Sequence, residues 1–200
     1  MTRLPQTAEP TSRRRLPRAE RTRQLLDVAW TLIRAEGTDA LTLGRLAEAA
    51  GVSKPVVYDH FVTRNGLLAA LYQDYDVRQT AVFETAVASA SPALEDKASV
   101  IAESYVACVL NQGSEIPGIV AALSGSPELA AVKRQYQHAF IAKCATILDP
   151  YAGPEGVPAA RLWAMLGAAD ALSDAAAAGD LSPQAARDEL ARTVRLVVER

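Results

Sequence analysis

Residues 42–61 contain two short helical segments joined by a glycine-containing turn. The first segment follows Thr42, a good N-cap, and continues to residue 50. A turn of Gly51, Val52 and Ser53 separates it from a second segment at residues 54–61. Two short helices joined by about three residues with a glycine are typical of a helix-turn-helix, whose second helix enters the major groove of DNA. The sequence therefore predicts a DNA-binding motif here.

Apolar residues recur at helical spacing along almost the whole chain from Arg18 onward, and no convincing two-residue alternation indicates a strand. This pattern predicts an all-α protein. A first helix covers residues 18–37, where Gly37 is a natural cap, and a fourth helix starts at Thr63. Proline and glycine clusters divide the remainder into longer helices, predicted at residues 67–90, 93–111, 116–123, 127–148, 158–178 and 183–199.

Charge is distributed unevenly along the chain, which indicates that only one part of it has a nucleic-acid partner. Residues 1–66 contain 11 Lys+Arg and 7 Asp+Glu, whereas residues 67–200 contain 10 and 16, so a basic third precedes an acidic remainder. We predict a three-helix DNA-binding domain with a helix-turn-helix at residues 18–66 and a helical domain at residues 67–200. Residues 1–17, with three prolines and four arginines, are predicted to be a disordered basic arm, either solvated or lying along DNA.

Helical spacing orients the second helix of the predicted motif. Val57 and Phe61 are four residues apart, so they form one apolar seam that packs on the preceding helices. The opposite side then carries Pro55, Val56 and Asp59, with Lys54, Tyr58 and His60 at its flanks.

Two cations of the motif are badly placed for isolated helices. Lys54 and Arg45 both lie in the first turn of a helix, where the dipole favours an acid. Phosphates outside the helices would compensate both charges, together with the backbone amides of the helix N-termini. With Arg64 close by, these cations favour a DNA-facing surface, and the alternative is an ordinary solvated face.

The segment LTLGRLAEAAGVSKPVVYDHFVTRNGLLAALY, with LLDVAWTLIRAEG before it, resembles the N-terminal domain of the TetR family of transcriptional regulators. The specific features are a small residue at Ala29, Gly37, the Thr42 cap, the LAEAAGVS run and a Tyr-x-His-Phe run followed by a basic residue. The resemblance covers roughly residues 20–75, and the remainder agrees with the family in length and helix count only.

The resemblance implies specific DNA contacts. Phosphate contacts are implied for Thr42, Lys54, Tyr58, His60 and Arg64, and base-edge contacts for Pro55, Val56 and Asp59. Two positions depart from the family pattern. Leu43 and Gly44 stand where a polar or basic side chain often follows the threonine, so Arg45 has to supply that contact alone. At the start of the fourth helix, Arg64-Asn65-Gly66 replaces a common basic-acidic pair.

Asp59 has two interpretations. Phosphate would repel a carboxylate at the centre of the groove-facing side, yet the carboxylate can accept a hydrogen bond from cytosine N4 and so contribute to sequence choice. The other interpretation is an intramolecular ion pair with a neighbouring arginine or lysine.

Residues 67–200 carry no pattern that indicates catalysis, a metal or a cofactor. A Gly-rich phosphate loop and a nucleophile beside a base are both missing, and His138 and Cys144, six residues apart, are poorly spaced for a shared metal ion. Cys108 and Cys144 lie among apolar neighbours, as reduced thiols of a cytosolic protein do. No apolar run approaches the roughly 18 residues of a membrane span, so we expect a cytoplasmic protein without a membrane partner.

The resemblance also implies a homodimer built from the last two helices of each chain. The candidates are small residues that permit close helix approach and an apolar seam on the last helix: Ala164, Ala168, Ala171, Ala175, Leu190, Val194 and Val197. Such stripes also occur in the cores of monomers. A two-fold dimer is what the recognition of a palindromic operator requires.

A small-molecule pocket between the C-terminal helices is a further implication of the resemblance. Aromatic side chains with a polar tip suit ligands of mixed polarity, and the candidate linings are Tyr105, Tyr136, Phe140, Trp163 and Met165. The alternative is plain core, because any helical bundle buries aromatic residues. No sequence feature names the effector.

We therefore expect a TetR-like regulator with an N-terminal helix-turn-helix domain and a C-terminal helical bundle for ligand binding and dimerisation. It is expected to be a repressor that binds a palindromic, double-stranded operator as a homodimer and is released by an unidentified small-molecule effector. One alternative is a DNA-binding activator or co-regulator without such a ligand. A second is an all-α enzyme or adaptor whose basic N-terminus is incidental.

Overall fold

The computed structural model describes residues 16–111 and 115–199, and all regular structure within these ranges is helical, which confirms the all-α prediction. Residues 1–15, which include most of the predicted basic arm, lie outside the described ranges. The helices are α1 (Arg18–Glu36), α2 (Leu43–Ala49), α3 (Lys54–Phe61), α4 (Arg64–Ser89), α5 (Leu94–Leu110), α6 (Glu115–Ala122), α7 (Pro127–Leu148), α8 (Ala159–Ala178) and α9 (Pro183–Leu196), with a short 3₁₀ turn at Asp149–Tyr151.

Side-chain caps determine where several of these helices begin. The side chains of Thr42, Thr63, Ser126 and Ser182 each accept a hydrogen bond from the backbone N–H three residues further on. The Thr63 cap starts α4 at Arg64, and the helix then continues to Ser89 in one piece. The domain boundary predicted at residue 66 therefore falls inside a continuous helix.

The N-terminal core joins α1, α2 and α3 to the first turns of α4. Its fully buried members include Leu25, Ala29, Leu46 and Val57. Residues beyond the predicted boundary complete this core: Leu67, Leu68 and Leu71 from α4, and Ile116, Ile119 and Leu123 from α6 and the turn after it. Helix α6 thus packs on the helix-turn-helix side of the molecule, although it lies far along the chain.

The second core joins the last turns of α4 to α5, α7, α8 and α9. Leu190, Val194 and Val197 belong to it, with exposures of 1%, 0% and 6%. The apolar seam at the end of the chain packs on α5 and α8 of its own protomer. These three residues are therefore monomer core, and their prediction as dimer-interface residues is corrected.

Candidate nucleic-acid interface and ligand cavity

Helix α3 turns its polar side outward because its apolar seam is buried against the N-terminal core. Val57 and Phe61 are 0% and 6% exposed, as their spacing predicts. Gly51 makes the preceding turn at φ +63°, a left-handed conformation that glycine adopts without steric strain. Outside the seam, Lys54, Pro55, Tyr58 and Asp59 are exposed, and Val56 and His60 are half-buried.

Lys54 and Thr42 meet at the start of α2. Thr42 is exposed, and its Oγ1 accepts a hydrogen bond of 3.0 Å from the Arg45 backbone N–H. The Lys54 stem crosses this turn, since a Cβ on Gly44 would lie 3.7 Å from Lys54 Cε and 3.9 Å from Thr42 Oγ1. A small residue at position 44 therefore leaves room for the lysine beside the threonine hydroxyl, which suits contact with one phosphate.

Arg45 has an acidic partner that the sequence patterns did not indicate. Its guanidinium donates to Glu36 over 2.5 and 3.1 Å, and to Glu48 over 3.4 Å. The hydrogen bonds with Glu36 raise the pKa of Arg45 and lower the pKa of Glu36. Solvent screens exposed pairs of this kind, so phosphate can replace Glu36 as the partner of Arg45.

Asp59 is held by Arg18, which matches the intramolecular interpretation of this residue. Arg18 Nη1 donates to Asp59 Oδ2 over 2.6 Å, and Arg18 Nη2 donates to the Asp59 carbonyl oxygen over 2.9 Å. Both side chains remain about two-thirds exposed. Arg18 was not among the predicted contacts, because its partner lies 41 residues away in the chain.

His60 points back toward α1 and contributes little to the outward face. A hydrogen bond of 2.8 Å joins His60 Nδ1 to Thr22 Oγ1. Desolvation lowers the pKa of His60, and the nearby charges of Arg18 and Arg21 lower it further, against the opposing effect of Asp59. These effects favour the neutral form of the ring, which serves the packing of α3 on α1.

Arg64 is engaged inside the protein, which corrects its prediction as a phosphate contact. Its Nε donates to the Leu41 carbonyl oxygen and its Nη2 to the Thr38 carbonyl oxygen, both over 2.8 Å. These bonds tie the start of α4 to the loop between α1 and α2. The guanidinium is part-buried and donates to two loop carbonyl groups, of which that of Thr38 also accepts a hydrogen bond of 3.2 Å from the Leu41 backbone N–H.

A cavity of about 540 Å³ lies among α4, α5, α6, α7 and α8. Of the predicted pocket residues, Tyr105, Tyr136 and Phe140 line it. Met165 is buried in the second core at 1% exposure, and Trp163 stacks edge-on against His138 with ring centroids 5.4 Å apart. Met165 and Trp163 were predicted to line the pocket, but they do not line this cavity. The side of α8 that faces the cavity carries Leu166, Asp170 and Asp174 instead.

The small residues of α8 form an open stripe along the helix. Ala164 and Ala171 are exposed, and Ala168 and Ala175 are half-buried. A Cβ added to Gly167 on the same stripe would meet no atom within 4 Å. This part of the predicted dimer interface is thus accessible in the single protomer.

Two further properties concern residues 16–111 and 115–199 only. No helix there is both long and apolar enough to cross a membrane. No group of three or more His, Cys, Asp and Glu side chains there is arranged to hold a metal ion.

Comparison with known proteins finds a family match for the segment that contains the helix-turn-helix. Residues 25–71 match the family described as bacterial regulatory proteins, tetR family. The HTH-type transcriptional activator FasR of Mycolicibacterium smegmatis is 44% identical over 59 residues, which are 30% of this chain and 27% of FasR. The match to this curated relative therefore covers about a quarter of its length.

Two solved structures share the fold over nearly the whole chain. A TetR-family transcriptional regulator from Streptomyces coelicolor superposes with a TM-score of 0.62 at 22% identity, covering 90% of this chain and 95% of that one. The multidrug binding protein EbrR, solved with imidazole, gives 0.65 at 18% identity, covering 93% and 97%. The helix-turn-helix of residues 42–61 lies inside the matched segment, so residues 25–71 form a domain of the tetR family of bacterial regulatory proteins, and the all-helical fold continues beyond it.

Proposed function

We propose that this protein is a TetR-family regulator of transcription that binds a palindromic operator as a homodimer, as a repressor that a small-molecule effector releases. The observation that carries the proposal is the outward face of α3, where Lys54 and Tyr58 are exposed above a fully buried seam. Lys54 has no carboxylate within 4 Å among the described residues, so it is available for phosphate. The family matched by residues 25–71 consists of bacterial regulatory proteins, which favours a regulator over the enzyme alternative.

Helices α4 and α6 offer a route by which a ligand could change DNA affinity. Tyr72, Tyr75, Ile116 and Val120 line the cavity and also pack in the N-terminal core. A ligand in the cavity therefore contacts the same side chains that support α1 and α3. Such a ligand binds more tightly to a conformation in which the recognition helices of the dimer are wrongly spaced for the operator. It lowers operator affinity by the difference between its binding free energies for the two conformations, and by no more.

Selection of bound duplexes from random DNA with the purified protein tests operator binding. We expect an inverted repeat whose half-sites lie about one helical turn, roughly 34 Å, or a multiple of it apart. Lys54→Gln should weaken binding to all sequences alike and reduce the salt slope by about 1 per protomer. Lys133→Gln makes the same chemical change on α7, far from α3 in the chain, and should leave both quantities unchanged.

The contrary result would be weak binding without sequence preference and with a salt slope that Lys54→Gln does not alter.

Repeating the selection with Asp59→Ala separates the two interpretations of that residue. A changed base preference at one position of the half-site supports a base contact by Asp59, whose carboxylate would leave Arg18 when DNA binds. An equal loss of affinity for every operator variant shows instead that Asp59 only positions Arg18.

Activation is the second candidate for the sign of regulation, because the relative FasR is a transcriptional activator. In-vitro transcription from a promoter that carries the selected site distinguishes the two signs. A repressor lowers transcript yield until an effector is added, whereas an activator raises it.

A further inference from the structure

An unpaired carboxylate lies in the wall of the cavity. Asp76 is on the side of α4 that also presents Tyr72 and Thr80, four residues to either side, to the cavity. Its side chain is half-buried and forms no hydrogen bond or ion pair with any described residue. Desolvation raises the pKa of Asp76, and the charge of Lys143 opposes this effect only in part.

Aromatic rings and neutral hydroxyl groups surround this carboxylate. Tyr72 and Tyr136 lie with ring centroids 5.8 Å apart, and Tyr75 lines the same wall. Burial is the main cause of the raised pKa of each of these three phenols, and the charge of Asp76 raises it further. The Tyr136 hydroxyl is buried and has no hydrogen-bond partner among the described residues.

The other charged groups of the cavity compensate the charge of Asp76 only in part. Lys143 forms an ion pair with Glu84, and the Asp170 carboxylate accepts a hydrogen bond of 2.6 Å from the Tyr105 hydroxyl. Lys133 and Asp174 are exposed side chains of opposite charge. The lining thus holds one more carboxylate than ammonium groups, and one of the two ammonium groups is already paired.

We propose that the cavity binds an organic cation with an apolar body, whose charge pairs with Asp76 and whose apolar groups pack on Tyr72, Tyr136 and Phe140. An aromatic cage attracts a cation through the negative faces of its rings, and a carboxylate in a partly desolvated wall adds a Coulomb attraction that water screens weakly. The volume of about 540 Å³ lies within the range usual for small-molecule sites. This proposal rests on the ligand-responsive function proposed above and specifies the chemistry of its effector.

The test compares two probes of nearly equal shape and opposite charge, tetraphenylphosphonium and tetraphenylborate, by calorimetric titration into the full-length protein. Tetraphenylphosphonium should bind at least about tenfold more tightly. Asp76→Asn keeps the size of the side chain and should weaken tetraphenylphosphonium binding by about tenfold without weakening tetraphenylborate. Glu103→Gln removes an exposed acid of α5 outside the cavity lining and should change neither affinity by more than about twofold.

A second measurement separates ligand binding from a structural role of Asp76. Because burial disfavours the charged carboxylate, Asp76→Asn should leave the thermal midpoint of the free protein unchanged or raise it at pH 7. A fall in the midpoint together with unchanged affinity would show that Asp76 is structural, and the proposal would be wrong.

The proposal is likewise wrong if tetraphenylborate binds as tightly as tetraphenylphosphonium, or if the cation does not bind at all. Operator binding by the same protein is measured separately. If tetraphenylphosphonium does not bind but the protein still binds its operator, only the present inference is contradicted. Cation binding that does not change operator affinity contradicts the proposed release mechanism and leaves the cation site standing.

Discussion

Val62 occupies a backbone conformation that a β-branched residue rarely adopts. Its φ of +58° and ψ of −54° follow the last turn of α3, and the Thr63 backbone N–H donates to the Phe61 carbonyl oxygen over 2.5 Å across it. This is a γ-turn of the strained kind. Gly66 faces the same carbonyl so closely that a Cβ would lie 2.3 Å from the Phe61 oxygen. The junction between α3 and α4 is therefore tightly packed at both Val62 and Gly66.

Val62→Gly should stabilise the protein. A left-handed L-residue costs about 1–2 kcal/mol, and the extra unfolded-state entropy of glycine offsets about 0.5–1 kcal/mol of the gain. The side chain is 72% exposed, so its removal loses little packing. We expect a net gain of about 0.5–1 kcal/mol in the free energy of unfolding, or about 1–4 °C in Tm, measured by thermal denaturation.

Gly66→Ala provides the opposite change at the same junction. The added methyl group meets a backbone oxygen that cannot rotate away, and we expect a loss of about 1–3 kcal/mol. A Val62→Gly variant that is less stable than the wild type would show that the turn is not strained.

At the scale of helices, α1 is joined to α4 through the Asp74 carboxylate. The Asp74 side chain is 9% exposed and accepts a hydrogen bond of 2.7 Å from Trp30 Nε1, together with ion pairs from Arg23 and Arg78. The Arg78 guanidinium also lies 5.2 Å from the Trp30 ring centroid. This cluster holds α1 against α4, the helix that lines the cavity.

Asp74→Asn should destabilise the protein by about 1–3 kcal/mol at pH 7, since it removes the charged acceptor of several hydrogen bonds. Desolvation opposes ionisation, but the hydrogen bonds from Arg23 and Trp30 outweigh it and lower the pKa of Asp74 below its usual 3.8. The stabilisation is thus present above pH 3.8 and is lost as the pH falls through the lower, folded-state pKa.

Urea denaturation at several pH values checks this prediction. The difference between wild type and Asp74→Asn should shrink as the pH falls below about 4. Asp27→Asn is the matched control, because Asp27 binds the same Arg23 from an exposed i,i+4 position and should change stability by no more than about 0.5 kcal/mol. Equal losses from the two substitutions would contradict a special role for Asp74.

For the whole molecule, the open stripe on α8 is the part of the predicted dimer interface that remains accessible. Small side chains let two helices approach closely, and a two-fold axis would place each stripe against its copy. The apolar seam of α9 cannot take part in the same way, because Leu190 and Val194 are buried within the protomer.

For the proposed homodimer, Ala171→Gln should raise the dissociation constant by about tenfold or more, since a symmetric interface at the α8 stripe would receive two bulky side chains at once. Sedimentation equilibrium measures this constant, and operator affinity should fall with it. Ala88→Gln, an equal change at an exposed position of α4, should leave the dimer intact. Unchanged association of the Ala171→Gln variant would place the interface elsewhere.

Local features of the chain were predictable, because they depend on neighbours within about one turn of helix. The periodic apolar residues predicted the helices, Thr42 and Thr63 predicted their starts, and the four-residue spacing of Val57 and Phe61 predicted the buried seam of α3. The outward placing of Lys54, Pro55 and Tyr58 follows from that seam. Such features survive in any fold that buries one side of each helix.

The partners of long side chains required the tertiary structure. Arg64 could equally have faced phosphate, and only the return of the α1–α2 loop brings two backbone carbonyls to its guanidinium. In the same way, Arg18 reaches Asp59 across 41 residues. The sequence by itself thus determined which residues form helices and which side of α3 is buried, since these depend on local periodicity. Only the tertiary structure decided which cations are already paired, which aromatic residues line the cavity and that Asp76 lies unpaired among them, because those contacts join residues distant in the chain.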